Sequence, residues 1–471
     1  MSTLRALTPF EQLLLRDQRP GFPMCFFLLC EVEGPLDLHR LRGALEGAAG
    51  RHPLLCSRVR DAWWRPTWRA PDVLPALEAF PLGSPPPGIR NDPWRSIDIR
   101  RTSGVRMVAI ERARDAWEVV LMIQHAACDG LSGLEFFGDV WSRYHGSEPA
   151  PFRTPARIVR RRSDSTASVA APSAPLPEPQ SNTEPTAGVL GGETARFAGF
   201  LPAMVARGPA RPPSPSLASV PRCAGPALPF VSVSLTPEQT AAIKQRAAAD
   251  GASLNDVAVA AVMRAVATWN EDAGHPARQI RITMPASLKP PGTRAPACND
   301  MGYAFLDRTA EECRAPVDLI RSLAVASRWI QEHRAAGIFL DTLAIIDRFP
   351  PGLWLLTRLP VPLSTAVVSF VGNVGPRLRA NVPHDGGCDL PGDLRIGAVK
   401  GVPPIRPGTR LGVGLVIYDG RLHVTVQCDT AALGGAAPPL LSAAIRTAIL
   451  DGAASLPSSP APATVATGSP C

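Results

Sequence analysis

Lysine is scarce in this sequence of 471 residues, since only Lys244, Lys289 and Lys400 are present and 46 of the 49 basic residues are arginine. The formal net charge is +8. The one dense run of arginines, at residues 157–162, contains no aromatic residue, so we do not expect nucleic-acid binding. A positively charged surface instead favours small or macromolecular partners that carry negative charge.

The sequence also lacks paired cysteines. Its ten cysteines are scattered, with no C-x-x-C pair among them. A disulfide framework or a zinc site would need such spacing. We therefore expect free thiols in a reducing compartment and no metal site.

Long uninterrupted apolar runs are missing as well. Charged residues and a proline interrupt residues 1–15, and charges and several prolines interrupt the most apolar later stretch, residues 342–374. A secretory signal or a membrane-spanning helix needs a longer apolar run. The sequence predicts a cytoplasmic protein without either element.

The composition is that of a folded protein, with 45% hydrophobic and 19% charged residues. Its patterning predicts two α/β halves, at residues 1–146 and 229–454. Residues 147–228 are rich in Pro, Ser and Ala and predict a linker or crossover. Residues 455–471 have a similar composition and predict a flexible tail.

Individual elements are predicted from periodicity. Residues 23–32 form an apolar run typical of a buried strand, and residues 37–49 carry leucines at helical spacing. Residues 106–110 and 117–123 predict an antiparallel hairpin. In the second half, Thr236 followed by Pro237 predicts the start of a helix.

One motif carries recognisable chemistry. The predicted strand 117–123 runs into His125, with Asp129 four residues later and Gly130 beside it. A neutral imidazole with a pKa near 6.5 can accept a proton from an alcohol or an amine. A lone histidine before a turn is more often structural, so the residues alone leave both interpretations open.

The order of motifs along the chain resembles a known superfamily. His125-x-x-x-Asp129-Gly130 resembles the H-x-x-x-D-G signature of coenzyme A-dependent acyltransferases and condensation domains. Residues 4–24 look like the opening of its wax ester synthase/diacylglycerol acyltransferase branch. Further similar segments follow in order, namely Arg51-His52-Pro53, Leu254-Asn255-Asp256-Val257, Met284-Pro285-Ala286-Ser287-Leu288, Asn299-Asp300-Met301-Gly302, Gly372-Asn373-Val374-Gly375-Pro376 and Tyr418-Asp419-Gly420.

The resemblance implies two chloramphenicol-acetyltransferase-like halves that form a pseudo-dimer with a central tunnel. In that family, His125 would be the general base and Gly130 would leave room for substrate. Asp129 would be structural and paired with an arginine of the second half, for which we predict Arg281. Gln124 stands where many members carry another histidine, and glutamine keeps the hydrogen-bonding capacity.

Three further residues are candidates for the substrate or oxyanion region: Ser132, Ser369 and Asn373. The resemblance implies no metal and no cofactor, with the coenzyme A thioester acting as substrate. Its partners would be acyl-CoA or an acyl carrier protein, together with an alcohol or amine acceptor. Peripheral contact with a membrane or lipid droplet agrees with this substrate class.

The function that the resemblance implies is an O-acyltransferase that uses acyl-CoA and makes a wax ester or triacylglycerol. Two alternatives stay open. One is a stand-alone condensation or polyketide-associated acyltransferase that uses a carrier-protein thioester, and the other is a non-catalytic homologue that binds an acyl chain or a carrier protein. The sequence fixes neither acyl length, acceptor, donor carrier nor oligomeric state.

Overall fold

The computed structural model describes residues 3–62, 65–84, 96–153, 208–213, 230–359, 362–378, 389–390 and 394–457. Most of the predicted linker 147–228 and of the predicted tail 455–471 lies outside these residues, so the boundaries of the linker and tail stay predictions.

The described residues form strands and helices throughout both halves. The strands are β1 Thr3–Ala6, β2 Cys25–Glu33, β3 Val59–Arg60, β4 Thr67–Arg69, β5 Ala76–Phe80, β6 Val105–Ala113, β7 Ala116–Gln124, β8 Phe230–Leu235, β9 Gln279–Ser287, β10 Met301–Thr309, β11 Ala366–Asn373, β12 Asp389–Leu390, β13 Leu394–Val402, β14 Leu411–Tyr418 and β15 Arg421–Cys428. The helices are α1 Pro9–Asp17, α2 Leu38–Ala49, α3 Gly130–His145, α4 Pro237–Ala249, α5 Leu254–Asp272, α6 Pro316–Glu332, α7 Ala336–Ile346, α8 Gly352–Arg358, α9 Gly375–Leu378, α10 Thr430–Leu433 and α11 Ala437–Ser455.

Two six-stranded sheets organise the molecule. The first has the strand order β12-β13-β2-β7-β6-β5, and the second has the order β10-β9-β11-β14-β15-β8. Helices α2 and α3 pack together beside the first sheet, while α5, α6 and α11 pack beside the second. The α/β class predicted from the sequence is confirmed.

Helix starts follow the local chemistry of the sequence. Asp37 caps α2 by accepting a hydrogen bond from the Arg40 N–H. Thr236 and Gln239 form a reciprocal capping box at the start of α4, as Pro237 in the first turn predicts. These caps satisfy N–H groups that have no partner within a helix.

A strand from the second half completes the first sheet. β13 pairs antiparallel with β2, so that Val402 lies opposite Phe27 and Lys400 opposite Leu29. Where β13 passes β14, a Cβ on Gly414 would lie 2.0 Å from the Gly401 carbonyl oxygen. Only glycine allows the two strands to approach this closely. The two halves are therefore interlocked through their backbones.

Among the helices of the described residues, none is both long and apolar enough to cross a membrane. The same part of the chain contains no group of three or more His, Cys, Asp or Glu side chains arranged to hold a metal ion.

Candidate active site

The end of strand β7 positions the predicted histidine. β7 pairs with β2 along its whole length, and Gln124 lies opposite Cys25. One residue further on, the His125 N–H donates to the Met24 carbonyl at 2.7 Å. This bond extends the hydrogen-bonded pairing of β7 with β2 by one residue, as far as His125. The backbone of His125 is therefore held by the first sheet.

Gln124 supports the turn after β7. Its side chain is fully buried, its Oε1 accepts from the Ala126 N–H at 2.6 Å, and its Nε2 donates to Gln18 at 3.1 Å. These bonds use both ends of the amide group. Gln124 accordingly holds the shape of the turn and is not among the residues that line the cavity described below.

The His125 ring is buried against Phe26, with the ring centroids 5.2 Å apart in an edge contact. Within the described residues its Nδ1 is buried and has no well-oriented hydrogen-bond partner, which leaves Nε2 as the ring nitrogen available to a ligand. Burial lowers the pKa of His125, and the nearby His125 carbonyl and Asp129 oppose this only in part. The imidazole is therefore neutral near pH 7 and able to accept a proton.

Asp129 connects the two halves of the molecule. Its Oδ1 accepts from the Ser132 N–H at 2.8 Å and so caps α3, while its Oδ2 accepts from the Asp300 N–H at 2.9 Å. Its own N–H donates to the Cys298 carbonyl at 3.2 Å. The carboxylate therefore fixes the start of α3 against the loop before β10.

Asn299 is a site residue whose role the sequence did not predict. Its Nδ2 donates to the carbonyls of both His125 and Ala126, each at 2.9 Å. An amide group from the second half thus holds the turn that carries the histidine. The sequence contained a signal for this contact, because Asn299 begins one of the segments that resemble the superfamily.

The structure corrects the prediction that Arg281 pairs with Asp129. Arg281 lies on β9 directly opposite Asp307 on β10. Its Nε and Nη2 donate to the Asp307 carboxylate at 2.6 and 2.8 Å, and both side chains are buried. The two residues form a buried cross-strand pair of opposite charge. The charge partner predicted for Asp129 is therefore wrong, and the described partners of its carboxylate are backbone N–H groups.

The three residues predicted for the substrate or oxyanion region lie in different surroundings. Ser132 donates to the Cys298 carbonyl at 3.0 Å and accepts from Lys289 Nζ at 2.7 Å, so its hydroxyl is occupied outside the cavity. Asn373 is exposed at the end of β11, where its side chain accepts from the Gly375 N–H. Ser369 lines the cavity.

Cys128 lies within the motif and is fully buried. Burial raises the pKa of its thiol well above the usual range for cysteine, and the neighbouring Asp129 acts in the same direction. The thiolate is the nucleophilic form of cysteine. Cys128 is thus held in its unreactive form.

A cavity of about 130 Å³ lies between the two halves. The first half contributes its histidine turn, β2 and α1, and the second half contributes β9, β10, β11, the loop after β13, and β14. On β10, alternate residues face inward, as the two-residue period of a strand requires. The lining residues on three second-half strands are Thr283, Pro285, Ala286 and Ser287 on β9, Met301, Tyr303 and Phe305 on β10, and Val367, Ser369, Phe370 and Val371 on β11.

Gly130 faces this cavity at the first position of α3. A Cβ built on Gly130 would meet no atom within 4 Å in the described part of the chain. Its backbone does not adopt the left-handed conformation that favours glycine. The glycine is thus not required by backbone geometry, and its absent side chain adds space beside His125.

The mostly apolar wall carries one ion pair that joins the halves. Asp17, at the end of α1, accepts from Arg406 Nη2 at 3.0 Å, and Arg406 Nε lies 2.8 Å from the same carboxylate. Arg406 Nη1 is buried and has no hydrogen-bond partner among the described residues. Arg406 lines the cavity, and its Nη1 is enclosed by the surrounding protein atoms.

Comparisons with known proteins agree with this architecture. No family model matches the chain. In solved structures, the fold is that of condensation domains and chloramphenicol-acetyltransferase-like acyltransferases, in which two similar halves form a pseudo-dimer. The predicted fold class is confirmed.

The individual likenesses extend over nearly the whole chain. Polyketide synthase associated protein 5 from Mycobacterium tuberculosis has a TM-score of 0.57 and 19% identity, covering 96% of this chain and 98% of that one. The first condensation domain of the CDA synthetase has a TM-score of 0.58 and 17% identity, covering 97% and 98%. The trichothecene 15-O-acetyltransferase of Fusarium sporotrichioides has a TM-score of 0.62 and 12% identity, covering 95% and 94%.

A curated relative is the uncharacterized protein Rv2305 of Mycobacterium tuberculosis. It is 25% identical over 475 residues, which cover 95% of this chain and 99% of that protein. The relative is thus similar from end to end, and its own name assigns no activity.

Proposed function

We propose that this protein transfers an acyl group from a thioester to an alcohol, with His125 as the general base. The observation that carries the proposal is the position of His125. Its ring is neutral, its Nε2 is the nitrogen left available to a ligand, and it lies on a mostly apolar cavity that both halves enclose.

The proposed reaction requires neither a metal ion nor a redox cofactor. His125 removes the proton of the acceptor hydroxyl as its oxygen attacks the thioester carbonyl carbon. The tetrahedral intermediate then collapses, the C–S bond breaks, and the imidazolium returns the proton to the departing thiolate. The hydroxyls of Ser369 and Thr283 both line the cavity and are the candidates to stabilise the oxyanion.

We propose acyl-CoA as donor and a lipid-like alcohol, such as a long-chain alcohol or a diacylglycerol, as acceptor. The walls carry many apolar side chains, Leu13, Leu14, Met24 and Phe26 among them. Arg406, which is paired with Asp17, adds one charged side chain to these walls. This donor and acceptor agree with the resemblance to the wax ester synthase/diacylglycerol acyltransferase branch.

A second candidate is acyl transfer from a carrier-protein thioester to an alcohol or amine. The likeness to condensation domains and to a polyketide synthase associated protein favours it. The chemistry at His125 would be the same, and the two candidates differ in what delivers the thioester and in whether an amine accepts the acyl group.

The test is a turnover assay with mass-spectrometric detection of product. Purified protein receives palmitoyl-CoA with hexadecanol, dioleoylglycerol or hexadecylamine, and a palmitoylated carrier protein replaces palmitoyl-CoA in a parallel series. His125→Ala should lower turnover by about a hundredfold to ten-thousandfold, the usual contribution of a general base. The matched control is His39→Ala, because His39 is exposed on α2.

The donor series separates the two candidates. Ester formed from palmitoyl-CoA and lost in His125→Ala supports the leading proposal, whereas product formed only from the carrier protein supports the second. Equal turnover of His125→Ala and His39→Ala would exclude His125 as the base. Absence of product from every folded sample would contradict both enzymatic candidates and favour a binding role.

A further inference from the structure

Large apolar side chains are unevenly distributed over the surface. Eleven are exposed among the described residues, and five of these fall between residues 345 and 359. We call these five the apolar patch: Ile345, Phe349, Trp354, Leu355 and Leu359. Contiguous apolar surface of this kind marks an interaction site on a folded protein.

The patch occupies the outer side of a helical hairpin. α7 and α8 form its arms, with Phe349 in the turn between them. The inner side of the hairpin buries Leu343, Leu353 and Thr357 and packs against α1. Since Leu13 and Leu14 of α1 line the cavity, one helix separates the patch from the candidate active site.

The patch protrudes. Phe349 is 68% exposed, and Trp354 and Leu355 are each about half exposed. Another folded protein would cover protruding side chains only if it offered matching hollows. A fluid lipid surface accommodates them without such a match.

Around the patch, exposed positive charges outnumber exposed negative ones, because residues 341–359 carry Arg348 and Arg358 against Asp341. Arg348 and Arg358 are exposed beside it, and the Arg358 guanidinium lies over the Trp354 ring at 5.6 Å from its centroid. Residues 342–359 contain one acid, Asp347. Asp347 is half-buried and accepts from Gln12 of α1 at 3.4 Å, so it faces inward.

We propose that the apolar patch docks this protein on an anionic phospholipid surface. Phe349, Trp354 and the two leucines would enter the boundary between headgroups and acyl chains, where indole and aliphatic side chains are favoured. Arg348 and Arg358 would bind lipid phosphates, as cations near an anionic leaflet do. The docking places α1, and with it the cavity, one layer of helices away from the lipid.

The experiment is co-sedimentation of the full chain with vesicles, in the absence of any acyl donor. One set of vesicles contains phosphatidylcholine alone and the other contains phosphatidylcholine with phosphatidylglycerol. We expect binding to the anionic vesicles that weakens at high salt. The double variant Phe349→Ser/Trp354→Ser should bind at least about tenfold more weakly. Arg348→Gln/Arg358→Gln should lose a similar factor on anionic vesicles only.

The matched control is Leu74→Ser/Leu440→Ser, which removes two exposed leucines outside the patch and should bind as the wild type does. Circular dichroism melting shows whether each variant is folded.

Wild-type protein that stays in solution with anionic vesicles would overturn the proposal, as would equal binding by the patch and control variants. A dimer that requires Phe349 and Trp354, without vesicle binding, would assign the patch to a second copy of the chain. Because no acyl transfer is measured, failure here is independent of failure of the proposed function.

Discussion

Among single residues, Gly130 allows the most direct test of space for a ligand beside His125. It begins α3 with ordinary helical backbone and faces the cavity beside His125. Neither backbone strain nor a neighbouring side chain requires glycine there. A requirement for glycine at this position would therefore come from the ligand.

We predict that Gly130→Ala lowers turnover by about tenfold or more while leaving stability equal to or slightly above that of the wild type. Alanine in place of a helical glycine usually adds about 0.5–1 kcal/mol to the free energy of unfolding. The control is Gly43→Ala, because Gly43 lies in α2, away from the cavity, and its added Cβ would also meet no atom within 4 Å in the described structure. Steady-state kinetics and urea unfolding of both variants provide the measurement. Equal turnover of the two variants would contradict a role for Gly130 in making room for substrate.

The sequence predicted His125, Asp129 and Gly130 together as site residues, because their types and spacing place all three on one turn. They did not predict which charges meet. Arg281 pairs with Asp307 because strand register sets the two opposite each other, and register is a property of two strands that no single segment reveals. The contacts of Ser132 with Lys289 and Cys298 join a helix to a loop more than 150 residues later in the chain, which local patterns do not show.

At the scale of elements, α3 depends on a cap that also reaches across the molecule. Asp129 caps α3 and accepts from the Asp300 N–H, whereas Asp37 only caps α2 from an exposed position. The two aspartates therefore provide a comparison between capping alone and capping combined with contact between the halves.

We predict that Asp129→Ala lowers the free energy of unfolding by about 2–4 kcal/mol, because it removes a cap and leaves a buried N–H without its acceptor. Asp37→Ala should cost about 1 kcal/mol. Turnover should fall in Asp129→Ala and stay unchanged in Asp37→Ala. The reason is that Asp129 lies on the turn that carries His125, whereas Asp37 does not. Urea unfolding and the turnover assay check both. Equal losses of stability in the two variants would mean that the contact with Asp300 contributes nothing.

Most elements could be predicted from local patterns. The strands β2, β6 and β7 and the helices α2 and α4 match their sequence signals, because periodicity and caps act over a few residues. β13 was not predicted, although it completes the first sheet. Its partner β2 lies more than 360 residues earlier in the chain, and strand pairing over such a distance leaves no local trace.

Across the whole molecule, a buried histidine contributes to the junction of the halves. His52 Nδ1 accepts from the Ala297 N–H at 2.8 Å, and Nε2 faces Asp139 at 3.1 Å. Arg51 and Arg294 also pair with Asp139. Because Nδ1 accepts a hydrogen bond, the neutral tautomer carries its proton on Nε2 and donates it to Asp139.

This junction should respond to acid. Burial lowers the pKa of His52, against the opposing effect of Asp139, and burial lowers the pKa of His423 to about 4. Below pH 6.5 the unfolded chain binds protons that the native histidines exclude, so the free energy of unfolding should fall as the pH falls. Protonated His52 would also lose the acceptor for the Ala297 N–H.

We predict that His52→Gln is less stable than the wild type at pH 7.5 by about 1–3 kcal/mol, because it disrupts buried hydrogen bonds. We also predict that it loses less further stability than the wild type between pH 7.5 and 5. Urea unfolding at both pH values measures this, with the exposed-histidine variant His39→Ala as the control. A pH dependence in His52→Gln as steep as in His39→Ala would show that His52 does not couple the junction to pH.

The pairing of β13, from the second half, with β2, from the first half, has a consequence for folding during synthesis. On the ribosome, β2 is synthesised early, yet its neighbour on one side emerges only after about residue 402. Until then the first sheet has a long, apolar, unpaired edge of the kind that promotes aggregation. We therefore expect that the two halves cannot be separated within the predicted linker 147–228 and expressed on their own, because the first sheet is complete only after residue 402 has been translated.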